Sequence, residues 1–383
     1  MNTTEFGTFF LPGPTEVRRE VLEAMTRPMI SHRGAEFEQI FDRAQSGMRL
    51  VFGTARPVYV GTCSATGFME AGVRSAPEGR VLSLVNGAFS ERFAHIAETC
   101  GRNVERYVVE WGAAHDPAEL SRRMADCKLS VVTVAHSETS SGVLNDIRAI
   151  SDVAHEHGAV CLVDSVSGAG GAELRVDAWN LDYVLTGSQK ALALPPGLAF
   201  AVASERFIGN ARATSAVSVR RGTYFDLVEF EEAGLKHQVP NTPSISLYFA
   251  LDVQLRAITA EGMDARWRRH LDMRDATLAW INETSHSLGV DLRALASDGH
   301  RSPTVTAVAL PENVPGVLVT ELAAERGITI GTGYAKLRDS TIRIGHMGDH
   351  TPATVSRCLD ACAAALADVI ARPRTSASGA RHP

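Results

Sequence analysis

The chain has 383 residues, 45% of them apolar, and a formal charge of −6. That is enough apolar material for a large core, divided between one larger and one smaller domain. The mildly acidic balance gives no electrostatic case for nucleic acid, and no long uncharged apolar run argues for a membrane span. The opening MNTTEFGTFFLPGP lacks a basic stretch followed by an apolar core, so it does not read as a secretory signal. Cys63, Cys100, Cys127, Cys161, Cys358 and Cys362 are scattered without a C-x-x-C pair. They fit a reduced, cytosolic protein, and no metal site is expected.

Residues 1–18 read as a lead-in arm, in which Phe9-Phe10-Leu11-Pro12 can pack and Gly13-Pro14 signals a turn. A helix is expected over 17–25. The polar cluster Ser31-His32-Arg33-Gly34 then precedes an amphipathic helix over 35–50, which it can cap. Residues 58–60 form a strand that ends in Gly61-Thr62-Cys63-Ser64-Ala65-Thr66-Gly67, with a helix from Phe68. Small residues entering a helix offer free backbone N–H groups to a phosphate. Further strands are expected over 81–85, 104–110, 129–135, 159–163, 183–185 and 198–203, with helices over 90–100, 117–125 and 147–156. This alternation predicts a mainly parallel sheet with helices on both faces, an α/β fold.

Residues 204–236 are mixed and poorly periodic; Arg220 to Asp226 look like a functional loop without an assignable role. Gln238-Val239-Pro240-Asn241-Thr242-Pro243 is a rigid polar loop before a helix over 244–261. A long helix over 264–288 carries arginines and histidines on one side, which reads as a solvated face. Strands over 304–310, 328–331 and 341–344 with helices over 318–326 and 353–369 make a small α+β domain. Cys358 and Cys362 share a face of the last helix, where packing is expected rather than chemistry. The expected division is an arm at 1–18, a large domain at 19–258, a small C-terminal domain at 259–372 and a disordered tail at 373–383.

The informative stretch is Ala159 to Pro196, AVCLVDSVSGAGGAELRVDAWNLDYVLTGSQKALALPP. One short apolar run ends on Asp164 and the next leads into Gly187-Ser188-Gln189-Lys190. Both read as buried strands, and strand ends in an open α/β sheet are where ligands bind. A surface salt bridge is the bland reading of an Asp and a Lys. Here the amine is followed by Ala-Leu-Ala-Leu and pinned by Pro195, Pro196 and Gly197, which an exposed lysine does not need. An acid and an amine so placed match a pyridoxal phosphate site. The lysine carries the cofactor as a Schiff base, and the aspartate keeps the ring nitrogen protonated.

The DSVS…GSQKAL…PPG block resembles that of the class V aminotransferases, and the resemblance extends from Leu11-Pro12-Gly13-Pro14 to Gly348. It implies a fold-type I pyridoxal-phosphate enzyme, with a large domain around a seven-stranded, mainly parallel sheet and a small C-terminal domain. It also implies a homodimer with shared sites. By that resemblance Ser64, Ala65 and Thr66 hold the phosphate, Phe89 stacks on the ring, and Gln189 joins them. His136-Ser137-Glu138-Thr139 matches the family's H-x-E-[ST], so Thr139 is expected near the ring oxygen. Asn241 and Thr242 are expected to reach the neighbouring subunit's phosphate, and Gly13 to line the substrate's entrance. Arg343 lies between two isoleucines on a strand and needs a partner there; the family uses it for the substrate α-carboxylate. His346 is expected to be structural. His32 and Arg33 either cap the next helix or meet a distal anion on the substrate.

The implied reaction moves an amino group between alanine or serine and glyoxylate or pyruvate. An acidic or phosphorylated donor stays open through His32 and Arg33. A desulfurase or lyase of the same fold is disfavoured, because Phe89 stands where such enzymes carry histidine and no cysteine sits on an evident flexible loop.

Overall fold

The computed structural model describes residues 6–125, 127–215 and 222–372. The expected tail, and Arg220 and Arg221 of the unassigned loop, lie outside these residues. In order come β1 (Phe9–Phe10), α1 (Arg19–Ala24), α2 (Ala35–Phe52), β2 (Tyr59–Gly61), α3 (Ala65–Ser75), β3 (Val81–Val85) and α4 (Ala88–Thr99). Then follow β4 (Val104–Val108), α5 (Pro117–Ala125), β5 (Val131–Ala135), β6 (Ser137–Glu138), β7 (Val143–Leu144), α6 (Ile147–Glu156), β8 (Val160–Asp164), β9 (Tyr183–Gly187) and β10 (Ala199–Ala203). The rest of the chain adds α7 (Glu205–Ser215), α8 (Leu227–Gly234), α9 (Ile245–Glu261), α10 (Met263–Leu288), β11 (Arg293–Ala294) and β12 (Thr306–Ala309). It ends with α11 (Gly316–Glu325), β13 (Thr329–Thr332), β14 (Thr341–Ile344) and α12 (Pro352–Ala371).

Seven strands form the central sheet in the order β2-β10-β9-β8-β5-β3-β4. The run from β9 to β4 is parallel, and β10 is antiparallel to both β9 and β2. Both faces are dry. Along β8, Cys161 and Val163 join the core under α2 and α9, while Val160 and Leu162 join the core under α3, α7 and α8. Burial on both faces explains why these strands read as continuous apolar runs rather than alternating ones. A second sheet, β1-β13-β14-β12-β11, packs on α10, α11 and α12 and builds its own core from Ile330, Ile342, Ile344, Cys358 and Leu359. The arm is therefore part of that sheet: Phe9 and Phe10 pair in parallel with Thr329 and Ile330.

Three expectations change. Residues 204–236 hold two helices, α7 and α8. The interrupting Gly209 and Asn210 in α7, and the acid-rich short α8, hid the helical period. Helix α3 starts at Ala65 rather than Phe68, so part of the small-residue loop is its first turn. Helix α10 presents only part of its basic residues to solvent: Arg268 and His286 are exposed, but Arg266 and His270 are 1% and 0% exposed. Arg266 is paid for by Glu261 and Asp349 at 2.8 and 3.2 Å, and His270 donates to the Arg266 carbonyl and accepts from the Gly348 N–H. A buried guanidinium survives only with such partners, and both lie outside its own helix.

Candidate active site

Strands β8 and β9 lie side by side in register, with Asp164 opposite Leu185. Asp164 therefore ends one strand, and the chain leaves the next at Gly187 to reach Lys190 through a tight turn. Lys190 is 6% and Asp164 4% exposed. The Lys190 ammonium donates to the Pro12 carbonyl of the arm, and the Thr15 N–H donates to the Gln189 carbonyl at 3.0 Å. Arm and lysine loop are thus stitched together. Arg266 fixes the far side of that loop by donating to the Ala191 carbonyl at 2.7 Å. One Asp164 oxygen accepts the Val166 N–H at 2.8 Å; the other has no protein partner among the described residues.

Burial dominates the electrostatics. It pushes the Asp164 carboxyl up to about 7, with the Glu138 charge adding to the rise. It pulls the Lys190 amine down to about 8, with the Arg343 charge acting in the same direction and Asp164 opposing. An amine that is readily neutral beside a carboxyl short of a partner is poised for addition to a carbonyl.

Ser64 precedes α3 and makes no side-chain cap to it, so the N–H groups of the first turn, at Ala65 and Thr66, face outward from the helix start. Phe89 sits in the first turn of α4 with its ring centre 5.7 Å from the Lys190 amine. Its backbone N–H, together with the Ser90 N–H and hydroxyl, is held by the Glu138 carboxylate at 2.9–3.3 Å. Glu138 also accepts from Ser140 and is fully buried. In the sequence Glu138 stands out only as a letter of the H-x-E-[ST] motif. A carboxylate in a buried strand, ten residues from the nearest lysine or arginine in sequence, is itself a signal that backbone donors converge on it. Thr139 turns its hydroxyl to Ser167 at 2.5 Å, and its carbonyl accepts from Arg343 at 3.3 Å.

Arg343 is half-buried on β14, held by the Thr332 carbonyl at 2.8 Å and by Thr139. No carboxylate among the described residues pairs with it, which leaves a guanidinium with an open fork. Tyr334 and Arg92 also belong to this mouth and were missed. The Tyr334 ring lies 5.2 Å from Phe89 and 5.4 Å from the Arg343 guanidinium, and Arg92 donates to its hydroxyl at 3.2 Å. They come from opposite ends of the chain, which no local pattern reveals. Gly13 faces Lys190 so closely that an added Cβ would stand 2.4 Å from the side-chain tip.

His32 and Arg33 are not joined to Lys190 or Arg343 by any hydrogen bond or ion pair. Arg33 instead donates to Gln238 and to the Val239 carbonyl, at 2.5 and 3.2 Å. Asn241 and Thr242 line a small surface cleft with Gly61 and Thr62 of their own chain. His346 is committed to Thr306 and the Pro303 carbonyl, in keeping with a structural part.

The residues fit pyridoxal phosphate on three counts. A buried carboxyl has an oxygen open for a ring N–H. A helix start offers unused donors for a phosphate. Glycine at position 13 leaves the lysine tip space that any Cβ there would occupy.

Residues 9–349 match the family model described as aminotransferase class V. The soluble hydrogenase small subunit of a Synechococcus species is 33% identical over 94% of this chain and 92% of its own length. The (S)-ureidoglycine–glyoxylate transaminase of Bacillus subtilis is 30% identical over 90% of this chain and 86% of its own. Among solved structures, the alanine–glyoxylate aminotransferase of a Nostoc species superposes with a TM-score of 0.87 at 28% identity, covering 96% of this chain and 97% of that one. Fold, site chemistry and sequence agree, and the chain belongs to the class V aminotransferases, enzymes that work with pyridoxal phosphate.

Proposed function

We propose that the protein transfers an amino group between a small L-amino acid, alanine or serine, and glyoxylate or pyruvate. The observation that carries this is the convergence of a buried amine, a buried carboxyl and an open guanidinium: Lys190, Asp164 and Arg343. Glyoxylate appears in the names of the Bacillus and Nostoc relatives, which supports it as acceptor. Arg33 is already committed to the loop at 238–239, which favours a donor without a distal anion.

Bound pyridoxal phosphate would supply the carbonyl that captures the amine and the ring that accepts electrons. Ser64, Ala65 and Thr66 would hold its phosphate, Phe89 one ring face, and Asp164 its nitrogen; Thr139 and Gln189 complete the pocket. Arg343 grips the substrate α-carboxylate with two parallel N–H donors and so fixes the α-carbon. Lys190, neutral in part near pH 7 because burial lowers its proton affinity, takes the proton from that α-carbon and returns it. Donor and acceptor use one carboxylate grip in turn, a ping-pong scheme.

Homodimerisation with Asn241 and Thr242 reaching the neighbour's phosphate belongs to the same reading. Mixing Lys190→Ala chains with Thr242→Ala chains should then restore activity, since one site of the heterodimer is intact. Six free thiols support a cytoplasmic location.

Two measurements test the function. Borohydride reduction of the cofactor-loaded protein followed by peptide mapping should place the label on Lys190. Alanine, serine, aspartate and phosphoserine are each run against glyoxylate and pyruvate. The assignment fails if the label sits on another lysine, or if neither small donor works with either acceptor.

A further inference from the structure

A second cavity of about 770 Å³ opens on the other side of the Asp164 turn, between α6, the chain at 171–179, α10 and the loop at 299–303. Its volume is in the range of small-molecule sites. His136 is 3% exposed and lines it. The ring's Nδ1 side is closed: it meets the Ser165 hydroxyl at 2.9 Å and lies against Gly168. Nε2, across the ring, has no partner among the described residues. In the tautomer whose Nδ1 accepts from Ser165, Nε2 carries the ring proton and can donate it to an acceptor in the cavity. Nε2 is therefore a donor on the cavity wall that is free to meet a ligand.

The charged groups around the cavity are three arginines and three carboxylates. The carboxylates are committed: Asp146 caps α6 through the Ala149 N–H, and Glu173 and Asp264 both face Arg175, at 2.6 and 3.5 Å. Arg148 and Arg268 have no ion-pair partner among the described residues. The first turn of α6 adds its positive end. His300 lines the rim. Two indoles, Trp179 and Trp267, supply flat apolar wall, and Trp267 already carries the Arg175 guanidinium 5.1 Å from its ring centre.

We propose that this cavity is a second ligand site, for a small organic anion with a flat ring, an aromatic or heteroaromatic carboxylate. Arg148 and Arg268 bind the carboxylate with His136 Nε2, and the indoles take the ring. The site stands apart from the substrate's carboxylate grip at Arg343. It touches the Asp164 turn, because His136 bonds Ser165 and its backbone N–H donates to the Asp164 carbonyl at 2.8 Å.

The test is calorimetric titration of the cofactor-loaded protein with benzoate, and with acetate as the ringless probe. One benzoate should bind per chain, more tightly than acetate. Arg148→Ala combined with Arg268→Ala should weaken it by about tenfold or more, the loss expected for charge-assisted bonds. Both arginines are exposed, so the variant folds, and its melting temperature checks this. Arg343→Lys should leave benzoate binding unchanged. The proposal is overturned if millimolar benzoate gives no saturable heat, or if the double variant binds as the parent does. It is equally overturned if Arg343→Lys abolishes binding, which puts benzoate in the active site. None of these outcomes depends on which amino acid the enzyme uses.

Discussion

Gly13→Ala tests how the arm shapes the lysine's space. Gly13 has φ of +104°, and a Cβ built there would lie 2.4 Å from both Cδ and Nζ of Lys190. Two separable penalties follow. The backbone penalty for a side chain at such a φ is about 1–3 kcal/mol. The contact is relieved only by moving the flexible lysine tip, which breaks its bond to the Pro12 carbonyl and misplaces the amine. A displacement of order 1 Å at a reacting group costs about a hundredfold in rate. Gly101→Ala is the control: φ is +78° with nothing within 4 Å, so it carries the backbone penalty alone. Both variants should melt lower, by about 1 °C for each kcal/mol lost in a chain of this size. Only Gly13→Ala should also lose turnover by about a hundredfold and take up cofactor slowly, followed by the visible band of the loaded protein. If Gly13→Ala turns over like Gly101→Ala, the arm does not confine Lys190.

Arg343→Lys keeps the charge but loses the fork, so kcat/KM should fall about ten- to a hundredfold for donors and acceptors alike, with the alanine-to-aspartate ratio unchanged. A changed ratio would make Arg343 a reader of the side chain instead. Asp164→Asn should keep the fold and the cofactor but slow turnover by orders of magnitude, because an amide cannot hold the ring proton by charge; near-parental turnover in the loaded variant would remove Asp164 from that role. The Lys190 amine is lowered to about 8, so it is protonated and inert below that pH and neutral above it. Cofactor capture by the cofactor-free protein should therefore rise about tenfold per pH unit toward pH 8 and level off beyond it. Stopped-flow absorbance measures this; a plateau reached only near pH 10 would mean that the amine is not desolvated.

The sequence by itself determined the elements whose pattern is local. The runs that became β3, β5, β8 and β9 are apolar on both faces, so the alternation with helices already declared a parallel sheet. The sheet's geometry then dictates that residues at strand ends meet, which is why Asp164 and Lys190 could be read from one stretch of about forty residues. The open fork of Arg343 was legible too, since an arginine flanked by isoleucines on a strand demands a partner. What only the tertiary structure decided depends on residues far apart in the chain. The arm at Phe9–Phe10 became a strand because β13 offered it an edge. Arg266 and His270 went inward because Asp349 and the Gly348 N–H were there to receive them. Glu138 took hold of the Phe89 helix, and Tyr334 came to face both Phe89 and Arg343, through contacts that span up to 245 positions. Helical or strand periodicity records which face of an element is dry. It does not record what lies across the gap, and a buried charge is placed by its partner rather than by its neighbours in sequence.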